Sequence, residues 1–155
     1  MYVLDTNAFS QLFRSYYPAR FPTLWRNFSS LLNNGEITST REVRREIEGG
    51  PVLALRDWVR QHPELFPAPT AAEGRYVSRI FAVSHFQQVI EQKKLLRGGK
   101  NADPFVIARA AVFEATVVTM EQKPRNGARI PNICEYFGIA CTSLEGFMEM
   151  EGWQF

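Results

Sequence analysis

Four acids stand where their neighbours could put them to chemical use: Asp5, Glu46, Asp103 and Glu121. Asp5 follows "MYVL", which reads as a buried strand, and the helix start "NAFSQLF" comes just after it. Burying an unpaired carboxylate is costly, so Asp5 must be paired, hydrogen-bonded, metal-bound or at a strand end. Glu121 follows "TVVTM", a short β-branched strand candidate, in the same way. Ligands of an open parallel sheet bind beyond the carboxyl ends of its strands. Two acids at two such ends therefore converge on one edge. Glu46 lies on "TREVRREIEGG", where Val43 and Ile47 set the core face. At about 100° per residue, Glu46 falls roughly 80° from the middle of that face, nearer the buried side than Glu42 or Glu48 at roughly 120°. Asp103 precedes Pro104 and reads as an N-cap with proline at the first helical position.

Each acid also has a plain structural reading. Asp5 can cap the helix behind it, Glu46 can be a solvated boundary charge, and Asp103 can be a cap alone. The readings are compatible, because a capping Asp keeps an oxygen to offer an ion. Together the four would form a cluster that cannot stand unbalanced, since close like charges raise one another's pKa. In the sequence no Arg or Lys is visibly committed to neutralising it. Hard oxygen donors of this kind suit Mg²⁺ or Mn²⁺ rather than a soft metal.

The elements that must position these acids follow from periodicity and turn signals. Residues 1–4 read as a first strand and residues 7–13 as the start of a helix. "YYPARFP" interrupts it, and a second helix spans residues 23–32 up to the "NNG" turn. Residues 36–39 are a short strand. In the helix after them, Ser39 and Glu42 have capping-box spacing. Pro51 opens a further helix, "PVLALRDWVRQH", and "PELFPAPT" is a loop. One long helix is expected over residues 71–96, closed by Gly98-Gly99. "NADPFVIARAAVFEA" is the clearest helix and residues 116–120 the clearest later strand. A basic loop, a short helix over residues 133–137, the strand "IACTS" and the helix "LEGFMEMEG" complete the chain. Strands alternating with helices predict an α/β fold with a parallel sheet covered on both faces.

Composition sets limits on the function. The 155 residues fit one domain, 1–155, with one core. They are 45% hydrophobic and 13% aromatic, so disorder is not expected. A net charge of +2 permits a nucleic-acid partner without demanding one. Cys134 and Cys141 form no CxxC pair and have no histidine cluster nearby, which argues against zinc. No signal sequence and no run of roughly 20 apolar residues is seen, so no membrane association and a cytoplasmic location are expected.

Four stretches, "LDTN", "EVRREI", "ADPFVIARA" and "VVTME", resemble in type, order and spacing the acid motifs of PIN-domain nucleases. The resemblance spans essentially the whole chain. The tail "IPNICEYFGIACTSLEGFM" is similar to an uncharacterised prokaryotic branch of PIN-like proteins. It implies a three-layer α/β/α sandwich with a mainly parallel sheet and divalent-metal-dependent hydrolysis of phosphodiester bonds, usually in RNA. Many small members resemble VapC, a toxin masked by an antitoxin protein, and homodimers are common among them. By position, Asp5 matches the first-strand acid, Glu46 the helix acid, and Asp103 the acid opening the later helix. Glu121 matches a fourth acid that is more often Asp, and the longer side chain leaves its direct contact with metal open. Asn7 and Thr119 match polar positions beside the first and fourth acids.

An RNA strand crossing an acidic pit needs positive charge around it. Lys123, Arg125 and Arg129 follow Glu121, while Lys93, Lys94, Arg97 and Lys100 run up to Asp103. Arg41, Arg44 and Arg45 share a helix with Glu46. All of these could equally be solvated surface charges. Phe13, Tyr16 and Tyr17 could stack on bases, and Tyr16, Tyr17 and Trp25 could meet a partner, but core packing is the commoner role of such residues. Two other readings stay open: a PIN-like module that binds RNA or protein without cutting, and a phosphoryl-transfer enzyme using Asp5 as nucleophile. Against the second, the position two residues on is Asn7, and no phosphate-cradling P-loop is present.

Overall fold

The computed structural model describes residues 1–99 and 101–155; Lys100 lies outside the described residues. A four-stranded, wholly parallel sheet is built from β1 (Tyr2–Leu4), β2 (Ile37–Thr38), β3 (Thr116–Val118) and β4 (Cys141–Thr142) in the order β2-β1-β3-β4. Tyr2, Val3 and Leu4 are all buried. Successive strand side chains point to opposite faces, so both faces of the sheet are covered and the fold is the expected three-layer α/β/α sandwich. β1 pairs with β2 on one side and β3 on the other, with Leu4 beside Val118. The chain order therefore reverses at the β1–β3 junction, where such sheets open a crevice.

Helices α1 (Thr6–Ser15) and α2 (Pro22–Asn33) lead from β1 to β2. Helices α3 (Arg41–Glu48), α4 (Leu53–Gln61), α5 (Ala71–Phe81), α6 (Ser84–Leu96) and α7 (Asp103–Phe113) lead on to β3, and α8 (Ile130–Phe137) and α9 (Leu144–Met150) flank β4. Gly35, at φ 71°, makes the turn before β2 that "NNG" announces. Phe13 meets Trp25 edge-on at 4.9 Å and Trp58 at 5.7 Å, joining α1, α2 and α4. Such pairs contribute about 0.5–1.5 kcal/mol each beyond area burial. Phe13 and Trp25 are thus packing residues, whereas Tyr17 is 43% exposed. Arg109 of α7 donates to Glu73 of α5 at 3.1 Å and to Thr38 of β2 at 3.0 Å, locking both helices to the sheet. Among the described residues no helix is long and apolar enough to cross a membrane.

Several local expectations are corrected. The helix over residues 71–96 is two helices, because Val83 adopts an extended conformation (ψ 107°) and turns α6 away from α5. Thr40, not Ser39, caps α3 by accepting from the Val43 amide. Ser39 is buried and its hydroxyl is spent on the Leu4 carbonyl. Pro51 lies ahead of α4 instead of opening it, and the proline loop contains a 3₁₀ turn, Pro63–Leu65. Asp103 is the first residue of α7, with Ala102 as its N-cap, and its side chain caps nothing.

Candidate metal centre

Each of the four acids reaches the β1–β3 crevice from a different element. Asp5 ends β1 and caps α1: its Oδ1 accepts from the Thr6 amide at 2.8 Å. Its Oδ2 accepts from the Thr119 hydroxyl at 3.0 Å, leaving the carboxylate 3% exposed and without a cationic partner among the described residues. Thr119 follows β3 and accepts from the Glu121 amide at 3.2 Å, so one hydroxyl ties the two strand-end acids together. Asn7 accepts from the Met120 amide at 3.0 Å, and its oxygen lies 3.2 Å from the Thr119 hydroxyl. These two polar residues therefore tie the end of β1 to the end of β3 beside the acids.

Asp103 is 2% exposed. Glu121 accepts from the Ile130 amide at 2.9 Å with one oxygen, capping α8, and turns the other toward the pit. Carboxylate oxygens of Asp5, Asp103 and Glu121 all lie within 4.8 Å of one another. This is an all-oxygen donor set of the hard kind that divalent cations such as Mg²⁺ take, so the residues present fit such an ion. Glu46 stands at the edge, where its Oε1 accepts from the Thr6 hydroxyl at 2.6 Å.

The pit is not left to its own repulsion. Lys93 Nζ lies 2.9 Å from Asp103 Oδ2 and 3.5 Å from Glu121 Oε1. Arg97 Nη1 lies 3.4 Å from Asp103 Oδ1 and 3.6 Å from Glu46 Oε2. This corrects the expectation that no cation is committed here. The break at Val83 aims the end of α6 across the acids, and no local pattern announces that turn. Lys100, named with these two, lies outside the described residues.

Electrostatics follow from this arrangement. Burial pushes the Asp5 carboxyl well above the ordinary carboxylate range, with the charges of Asp103, Glu121 and Glu46 adding to it and the Thr6 amide opposing. Burial also raises Glu46, against the Thr6 hydroxyl and Arg97. Burial by itself would lower the Arg97 pKa, but Asp103, Glu46, Glu121 and Asp5 outweigh it and the pKa rises.

A cavity of about 420 Å³ opens over the pit, and Ser10, Gln11 and Arg14 form part of its wall. The sequence carried a signal for them, since Asn7, Ser10, Gln11 and Arg14 share one polar stripe of α1 at helical spacing. A second cavity of about 420 Å³ shares Met120 and Glu121 with the first and has Lys123 on its rim. Lys123 pairs with Glu135 at 3.2 Å, and Arg125 and Arg129 are exposed on the same loop. Glu42, expected to face outward, is 9% exposed, and its Oε2 has no hydrogen-bond partner. It lines a third cavity with Ile90 and Phe105, because α6 and α7 fold over that side of α3.

The family described as "Domain of unknown function (DUF4411)" matches residues 2–155. The chain belongs to this family. None of the curated proteins matches it. Among solved structures, it is similar to a chain in the crystal structure of VapBC2 from Rickettsia felis bound to a DNA fragment from their promoter. The TM-score is 0.49 and the identity 18%, over 92% of this chain and 97% of the other.

Proposed function

We propose that this protein is a divalent-metal-dependent endoribonuclease that hydrolyses RNA phosphodiester bonds, and that it is the toxin of a toxin–antitoxin pair. One observation supports the activity above all others. Four carboxylates from distant parts of the chain meet at the carboxyl edge of a parallel sheet, with three of them in reach of one ion. The resemblance to PIN-domain nucleases adds RNA as substrate, Mg²⁺ or Mn²⁺ as the ion, and an antitoxin as partner.

In this reading Asp5, Asp103 and Glu121 hold the ion, and Glu46 orients the attacking water from the rim. When bound, such an ion acidifies a water and polarises the phosphoryl group. Thr119 and Asn7 keep Asp5 and Glu121 in register. Arg97, 40% exposed at its side chain, and Arg14 offer the scissile phosphate a positive wall. Lys123, Arg125 and Arg129 contact flanking phosphates, which position a strand without reading its sequence.

Cleavage of a labelled RNA by purified protein tests this directly. Cleavage is expected with Mg²⁺ or Mn²⁺ and not with EDTA. Asp5→Asn is expected to cost more than the roughly 10–100-fold typical of groups behind a metal site. Cleavage that survives EDTA, or an Asp5→Asn variant as active as wild type at saturating Mn²⁺, contradicts the proposal. Growth arrest on induced expression of wild type, but not of Asp5→Ala, tests the toxin role.

A further inference from the structure

Charge and geometry in the pit differ between its two sides. Among the described residues four carboxylates face two cations, Lys93 and Arg97, so with all four acids ionised, as metal ligands must be, two negative charges remain. That is the charge of one divalent ion. The remaining charge is not spread evenly. Asp103 touches both cations, Glu121 touches Lys93, and Glu46 touches Arg97. Among the described residues Asp5 touches neither, and its oxygens meet the Thr6 amide and the Thr119 hydroxyl. The unmet demand for positive charge is therefore on the Asp5 side.

Lys93 joins two of the acids. Its ammonium bridges Asp103 and Glu121 at 2.9 and 3.5 Å, with the side chain only 19% exposed. Paired ions in two-metal sites sit about 3.5–4 Å apart, close enough to lie against the same acids. A lysine already bridging two of the carboxylates fills that share of the ligand set. Its helix is anchored for the purpose, since Phe86 and Ile90 of α6 are buried in the core.

We propose that the pit takes a single divalent ion on the Asp5 side, and that Lys93 serves as a tethered second cation in place of a second metal. This rests on the metal-dependent reading above and adds the ion count and a role for Lys93. Lys93 is a positioning residue: it holds Asp103 and Glu121 toward the one ion.

Mn²⁺ titration of the metal-stripped protein, followed by the electron paramagnetic resonance signal of free Mn²⁺, reads stoichiometry and affinity without any RNA. Wild type is expected to bind one ion per chain. Lys93→Met is expected to admit a second ion. Lys93→Arg keeps the charge and is expected to stay at one ion. Lys94→Met, removing an exposed cation one residue along, is expected to match wild type. Two ions bound by wild type, or a folded Lys93→Met that still binds one ion, overturns the inference. If Lys93→Met does not fold, two ions bound by Lys93→Arg overturn it equally. No uptake by wild type instead contradicts the metal-dependent function beneath it, so the two failures are told apart.

Discussion

Asp5 does two jobs with one carboxylate, and they pull against each other. As a cap it accepts from Thr6, which favours the ionised form. As a buried group facing Asp103 and Glu121 it is pressed toward protonation. In metal-free protein, Asp5→Asn is therefore expected to stabilise the fold. The amide oxygen keeps the Thr6 contact, and Thr119 turns its hydroxyl proton to Asn7. The gain comes from removing the burial cost and the like-charge repulsion that press on the Asp5 carboxylate. For a chain of this length each kcal/mol raises Tm by roughly 2–4 °C. Thermal melts in EDTA check this, and a lower Tm for the variant contradicts it. Strand ends and a helix start mark Asp5, Glu121 and Asp103 in the sequence, and the core face of its helix marks Glu46. The pairing of Lys93 and Arg97 with these acids has no such mark, because their arrival at Asp103 depends on where α6 points.

Tyr2 shows how elements at the two ends of the chain are tied. It lies on β1, and its hydroxyl donates at 2.6 Å to Glu151, the C-cap residue just after α9. Burial, then the hydrogen bond and charge of Glu151, push its pKa from 10.0 up to about 12. A raised phenol pKa favours the neutral form in the folded state. Its contribution is therefore fully present below pH 10.0 and lost as pH rises through about 12. Stability measured by denaturant titration across that window is expected to fall more steeply for wild type than for Tyr2→Phe; equal slopes contradict this. The same packing explains which elements were legible. Strand and helix order could be read from periodicity, because both-face burial writes itself as short apolar runs. Capping choices could not. Ser39 and Thr40 are adjacent hydroxyls, and only the Leu4 carbonyl waiting above Ser39 decides which of them caps α3. Glu42 was misplaced because its helix has charge nearly all round, and burial there is imposed by α6 and α7.

As a body, the protein concentrates its chemistry at one place. Short parallel strands of two or three residues give little sheet surface, yet they bring Asp5, Thr119 and Glu121 to a single edge. The long passage from β2 to β3 supplies the rest: Glu46 from α3, the cations from α6 and Asp103 from α7. A pit assembled from four regions of chain, and partly neutralised from a fifth, retains negative charge that could hold a divalent ion. Anomalous diffraction from crystals soaked in Mn²⁺ tests this most directly. One peak among the carboxylates of Asp5, Asp103 and Glu121 is expected, absent in Asp5→Asn. Crystals that show no peak there, with Lys93 and Arg97 closing the acids against the ion, would contradict it.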